Sequence, residues 1–179
     1  MRVISGLYKG RKLDGFDIEG TRPTQDRVKE SLFGSIQDYI EDSIVLDLFS
    51  GSGNLGIEAL SNGAKECFFI DNNKEAIKMI NSNLSKIGIT SNVLNKDFRD
   101  ALEYFKENNI RFDLVFLDPP YKDDYIDYSI KYLLDNNLLN DKSIIVSEFE
   151  NNIKTDYKEL KITKEKKFGY KKIVIFKKI

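Results

Sequence analysis

From residue 43 onward, short apolar runs alternate with helical patterns, and this alternation constrains the fold more than any other feature of the chain. The runs fall at 44–49, 66–71, 92–95, 112–117 and 143–149. Between them, apolar residues recur at helical spacing over about 55–62, 73–87, 98–108 and 124–136. Strands separated by helices join into a parallel sheet through right-handed crossovers, with helices on both faces. Such strands are buried on both sides, so they read as continuous hydrophobic runs. Two further strand-like runs, near 157–163 and 170–177, have no helix between them. They are expected to pair as an antiparallel hairpin at the sheet edge, joined through Phe168-Gly169.

A length of 179 residues suits one domain. Residues 1–20 read as a small basic extension, a glycine-interrupted β-hairpin around Gly6, Gly10 and Gly15. Residues 21–179 form the main domain, led by an amphipathic helix over 21–41. In that helix Thr24 is the expected N-cap, Asp26 sits in the first turn, and Val28, Leu32, Ile36 and Ile40 recur along one face. No apolar stretch approaches the length of a membrane span and no signal-peptide pattern begins at Met1, so a cytoplasmic protein is expected. Cys67 is the one cysteine and there is no histidine. An internal disulfide is excluded, zinc sites and histidine-based catalysis are not expected, and Asp and Glu are left to handle protons.

The net charge of −1 is not that of a protein that coats nucleic acid, but its distribution is uneven. Arg2, Lys9, Arg11 and Lys12 stand in an acid-free stretch, and residues 161–179 carry eight lysines against Glu165. Both stretches fit solvated edge strands, where lysine blocks pairing with strangers, and both fit local basic patches.

The first run leads into Asp47-Leu48-Phe49-Ser50-Gly51-Ser52-Gly53-Asn54-Leu55-Gly56. Gly51, Gly53 and Gly56 make G-x-G-x-x-G between a strand and a helix, where glycine permits a tight turn and close approach of backbone N–H groups to a ligand. The second run ends in Asp71, followed by Asn72, and its carboxylate is placed to accept from two ribose hydroxyls. Loop and acid together point to a nucleoside. Asp47, inside the first strand, suits a cationic methionine group and would repel a pyrophosphate, which favours S-adenosylmethionine over NAD. At the end of the third strand Asp97 is read both as an acceptor for an adenine amino group, with Phe98 beside the ring, and as the N-cap of the following helix.

The fourth run ends in Asp118-Pro119-Pro120-Tyr121. Two prolines cannot continue a sheet, so a carboxylate, proline carbonyls and an aromatic ring are left in a stiff loop at the carboxyl end of a strand, where open α/β sheets bind ligands. The exocyclic amine of a purine is a poor nucleophile because its lone pair is delocalised. Acceptors on both N–H groups, Asp118 and the Pro119 carbonyl, would turn that lone pair toward a methyl donor while Tyr121 stacks on the base. A paired base cannot reach such a pocket, so the nucleotide must be unpaired or flipped out. No metal is needed. Tyr125, Tyr128 and Tyr132 follow at helical spacing and read as the half-buried edge of a helix.

The segments Gly10-Arg11-Lys12-Leu13, Arg22-Pro23-Thr24-Gln25-Asp26-Arg27-Val28-Lys29-Glu30, Leu46-Asp47-Leu48-Phe49-Ser50-Gly51-Ser52-Gly53-Asn54-Leu55-Gly56 and Asp118-Pro119-Pro120-Tyr121 resemble the RsmD family, over essentially the whole chain. Members of that family are bacterial methyltransferases acting on guanine N2 of small-subunit ribosomal RNA. The resemblance implies a seven-stranded methyltransferase variant of the doubly wound α/β fold, S-adenosylmethionine as cofactor and S-adenosylhomocysteine as product. It implies ribosomal RNA or the assembling small subunit as partner, with a monomer expected. Asp118, Pro119, Pro120 and Tyr121 then form the catalytic loop, and Asp47, Phe49, Gly51, Gly53, Gly56, Asp71, Asn72, Asp97 and Phe98 the cofactor site. Arg22, Thr24 and Arg27 border the pocket, and Arg2, Lys9, Arg11 and Lys12 hold RNA. Asn54 departs from the family, which usually has alanine there. The competing readings are an adenine-N6 DNA methyltransferase, for whose recognition domain the chain has little room, an NAD-dependent oxidoreductase, and a noncatalytic RNA-binding assembly protein.

Overall fold

The computed structural model describes residues 1–16, 22–120 and 124–179, and for 22–24 the backbone alone. In chain order the elements are α1 (Arg22–Ile36), a 3-10 turn (Gln37–Tyr39), β1 (Ile44–Asp47), α2 (Asn54–Ser61), β2 (Glu66–Asp71), α3 (Lys74–Lys86), β3 (Asn92–Asn95), α4 (Phe98–Glu107), β4 (Phe112–Leu117), α5 (Asp124–Asp135), β5 (Leu139–Phe149), β6 (Leu160–Phe168) and β7 (Lys171–Lys178). The sheet has seven strands in the order β3-β2-β1-β4-β5-β7-β6. β1 to β5 are mutually parallel, β7 is antiparallel to β5, and β6 pairs antiparallel with β7. Strand order reverses between β1 and β4, and the crevice outside their carboxyl ends is where a fold of this kind holds ligands.

Alternate residues of each central strand feed two separate cores. Val45, Leu114, Phe116, Ile173 and Ile175 pack with Leu32, Phe33, Ile57 and Ile80, so α1, α2 and α3 cover one face. Leu46, Val115, Leu117, Val174 and Phe176 pack with Phe98, Phe105, Ile126 and Ile130, so α4 and α5 cover the other. This two-sided burial is why the strand runs are apolar throughout.

The amino-terminal extension is a minimal hairpin. One antiparallel bridge joins Arg2 to Lys12, and Val3 and Leu13 are buried in the α1–α3 core, so the segment is docked on the domain. Gly6 shows how closely: a Cβ there would lie 1.9 Å from the Ser61 carbonyl oxygen. The leading helix also differs from expectation. It starts at Arg22, so Thr24 lies inside it instead of capping it, Asp26 falls beyond the first turn, and Ile40 follows the 3-10 turn. β5 begins earlier than its apolar run, at Leu139, and bends where Lys142 adopts φ +63°. β6 occupies Leu160–Phe168, not 157–163: residues 161–165 are exposed on both faces, and pairing with β7 decides its extent.

Candidate active site

The carboxyl ends of β1, β2 and β4 bring together Asp47, Asp71 and Asp118, three acids that are far apart in sequence. The glycine loop between β1 and α2 is held internally by two of them. Asp47 is 2% exposed, and its Oδ2 accepts from the Gly56 N–H at 3.1 Å. Asp71 accepts from the Gly51 N–H at 2.9 Å and, through its other oxygen, from the Asn73 N–H at 2.9 Å. Ser50 ties the two strand ends, donating from Oγ to the Asp47 carbonyl (2.6 Å) and accepting from the Ile70 N–H (2.9 Å). Sequence reasoning assigned both acids to a ligand. They also shape the loop that would receive it, since a carboxylate has about four acceptor positions and the loop uses only some of them.

The three glycines serve different needs. Gly51 and Gly53 lie at φ +56° and +83°, the left-handed region that other residues enter at a cost. Gly56 has ordinary backbone but no room: a Cβ would meet the Phe69 ring at 2.3 Å and the Cys67 sulfur at 2.7 Å, so glycine lets α2 sit against β2. Phe49 is half-buried and its ring packs 5.1 Å from that of Phe98. Phe98 itself is 4% exposed, between Phe49 and Tyr125 (4.6 Å), with the Arg99 guanidinium 4.4 Å above its ring. Asp97 caps α4, accepting from the Arg99 N–H at 2.9 Å, and stays partly open to solvent; Asn72 is exposed. Tyr125 and Tyr132 are half-buried and Tyr128 is 40% exposed, as the edge of a helix should be.

Burial pushes the Asp47 carboxyl up to about 7, the Gly56 N–H opposing the shift and the charge of Asp71 adding to it. A buried acid in that condition suits a cationic ligand group, which would restore its charged form. Asp118, Pro119 and Pro120 follow β4 at the mouth of the crevice, while Tyr121 lies outside the described residues. Water reaches Asp118 directly, yet the surrounding protein displaces most of its hydration. That desolvation, then the negative Glu148, raises its carboxyl above the usual range, with Lys171 acting in the opposite sense. Glu148 and Lys171, an ion pair at 2.6 Å, thus form one wall of the site that sequence reasoning missed. The register would have found it, because Leu117 is level with Ser147 and Asp118 therefore with Glu148. A second cleft, of about 230 Å³, opens at the opposite ends of β1 and β4. Its lining of Asp38, Glu41, Asp42, Asp113 and Asp141 is wrong for nucleic acid.

Of the residues read as RNA-binding, Lys9, Arg11, Lys12 and Arg27 are exposed, and Arg2 is exposed but paired with Asp26 at 3.0 Å. The side chains of Arg22 and Thr24 lie outside the described residues. Beneath the amino-terminal segment sits a buried ion pair that sequence reasoning also missed. Lys29, 4% exposed, donates to Glu58 (2.8 Å), the Arg2 carbonyl (2.7 Å) and Asn54 Oδ1 (2.7 Å). Glu58, wholly buried, also accepts from the Ile4 N–H (3.1 Å), the Ser5 N–H (2.9 Å) and Ser5 Oγ (2.9 Å). One knot therefore joins the amino-terminal segment, α1 and the start of α2. Asn54 supplies the third acceptor for the buried ammonium.

Comparison with known proteins agrees with this architecture. Ribosomal RNA small subunit methyltransferase D of Haemophilus influenzae is 40% identical over 152 residues, covering 84% of this chain and 79% of that protein. The YlbH protein of Bacillus subtilis is 37% identical over 182 residues, 99% of each chain. The solved structure of the yhhF protein of Escherichia coli superposes with a TM-score of 0.86 at 30% identity, over 99% of this chain and 97% of that one. The family described as Conserved hypothetical protein 95 matches residues 1–177, and the chain belongs to it, the RsmD family, with an α/β methyltransferase fold.

Proposed function

We propose that the protein transfers a methyl group from S-adenosylmethionine to the exocyclic N2 amine of a guanine in small-subunit ribosomal RNA. The observation that carries this reading is the placement of Asp118, in a Pro-Pro loop after β4, beside a glycine loop held by two acids at the point where strand order reverses. Family membership adds the substrate class, since relatives of this chain are named small-subunit ribosomal RNA methyltransferases. A cytoplasmic location follows from such a substrate.

When bound, S-adenosylmethionine supplies an electrophilic methyl on a sulfonium. Asp71 would accept from the ribose hydroxyls, Asp47 would face the methionine end, and Asp97 and Asn72 would border the adenine with Phe98 behind them. Asp118 and the Pro119 carbonyl would accept from the two N–H groups of the target amine, fixing its lone pair toward the methyl. The raised carboxyl of Asp118 is also better matched than an ordinary aspartate to take the amine proton near neutral pH. Tyr121 would stack on the flipped base, and Arg22, Thr24, Arg27 and the Arg2–Lys12 segment would hold the strand.

Incubating the protein with S-adenosylmethionine and small-subunit ribosomal RNA, free or assembled, and digesting to nucleosides should yield N2-methylguanosine by mass spectrometry. Methyladenine, or methylation of DNA alone, would overturn the assignment. Calorimetry checks the cofactor site. Asp71→Ala should weaken S-adenosylmethionine by about 1–3 kcal/mol through lost charge-assisted bonds, and NAD should not bind.

A further inference from the structure

The β6–β7 turn stands at the same end of the sheet as Asp118. Asp118 comes level with Glu148, and Glu148 is paired with Ile173 of β7. β7 runs opposite to β4, so the residues ahead of Ile173 continue past Asp118. At about 3.4 Å per residue, the turn at Gly169-Tyr170 reaches roughly 10 Å beyond it. Gly169 makes the turn at φ +62°, and Tyr170 is left 71% exposed.

The start of α1 points the same way. Lys166 of β6, level with Ile173, donates to the Ser31 carbonyl at 2.9 Å, and Lys177 donates to the Tyr39 hydroxyl at 3.2 Å. The chain from α1 into the 3-10 turn therefore runs alongside β7 in the same direction, and Arg27, one turn before Ser31, emerges at the end where the hairpin turns. Residues 166–172 hold four lysines, two aromatic rings and no acid. Lys171 is committed to Glu148 and the half-buried Lys172 reaches Asn152 Oδ1 at 3.4 Å, whereas Lys167, across the hairpin from Lys172, is exposed. Guarding an edge explains lysines along β6, but it does not explain an open tyrosine at the tip.

We propose that this turn is a substrate contact, with Tyr170 stacking on a base of the RNA beside the target nucleotide and Lys167 and Lys172 meeting its phosphates. The proposal rests on the RNA methyltransferase reading above. An aromatic face amid cations is the chemistry that holds single-stranded nucleic acid irrespective of sequence. The turn and the Arg27 end of α1 would then grip the strand from two sides of Asp118.

The test measures binding and turnover of small-subunit ribosomal RNA by the wild-type protein, Tyr170→Ala, Tyr170→Phe and the double variant Lys167→Glu/Lys172→Glu. Tyr170→Ala should raise the RNA dissociation constant about tenfold, with S-adenosylmethionine affinity and the rate at saturating RNA unchanged, and Tyr170→Phe should bind as the wild type does. The lysine reversal should flatten the log–log salt dependence by about two units. RNA affinity and salt slope within error of wild type in both Tyr170→Ala and the lysine variant would overturn the proposal while leaving the function standing. A wild-type protein that methylates no small-subunit RNA would overturn the function, and this contact with it.

Discussion

Asp118→Asn is expected to fold, to bind S-adenosylmethionine as the wild type does, and to transfer methyl groups at least about 10²-fold more slowly in a single turnover. The amide keeps one acceptor oxygen and nearly the same shape, so the pocket survives. What is lost is the negative charge that offsets positive charge building on the amine as the methyl arrives. The wild-type rate should also carry a pH signature. Desolvation and Glu148 raise the Asp118 carboxyl above the ordinary carboxylate range, and the ionised form is the active one. The rate should therefore rise with pH through that raised value and level off above it, and the Asn variant should lack this limb. A fully active Asp118→Asn enzyme would leave the backbone carbonyls and positioning to account for the whole rate.

The largest effect on stability should come from the buried pair beneath the amino-terminal segment. Glu58→Leu strands the Lys29 ammonium and leaves the Ile4 and Ser5 N–H groups without their acceptor, so a loss of about 3–5 kcal/mol is expected in denaturant unfolding. For a chain of this size that is a fall in Tm of roughly 10 °C. Lys29→Met alone should also cost several kcal/mol by leaving the Glu58 carboxylate uncompensated. The double variant Lys29→Met/Glu58→Leu should recover much of the loss, though not all, because the orphaned donors of Ile4 and Ser5 remain. Single variants within about 1 kcal/mol of the wild type would show that water or rearrangement satisfies the charge.

Much of the fold was legible because the runs 66–71 and 112–117 are apolar on both faces, and the structure forms strands over those spans, as it does over 92–95. Pattern failed where burial does not set the limits. β6 shows solvent an edge of lysines: the strand and its antiparallel hairpin with β7 were legible, but its extent, Leu160–Phe168 instead of 157–163, is set by pairing with β7. The start of α1 was misplaced because a threonine after a proline imitates a cap. In the site, the acids were legible as strand-end residues of a nucleoside fold, but their bonds to Gly51 and Gly56 were not, since pairing across the loop is set in three dimensions. The Lys29–Glu58 pair did leave a trace. Lys29 lies on the same helical face as Leu32, Phe33 and Ile36, and Glu58 stands between the buried Ile57 and Ala59. Opposite charges on two apolar faces are a signal to look for a partner.

The strand order β5-β7-β6 has a consequence for how the molecule is made. β6 leaves the ribosome before β7, yet the place beside β5 belongs to β7. Until β7 has been synthesised, β5 presents a bare row of N–H and C=O groups flanked by Ile144, Ile145 and Val146. At ordinary elongation rates the stretch from Phe149 to Lys171 takes on the order of one to four seconds. During that interval the edge of β5 is open to pairing with another nascent chain, and the lysines of β6, which later close the outer edge of the sheet, do not yet protect it.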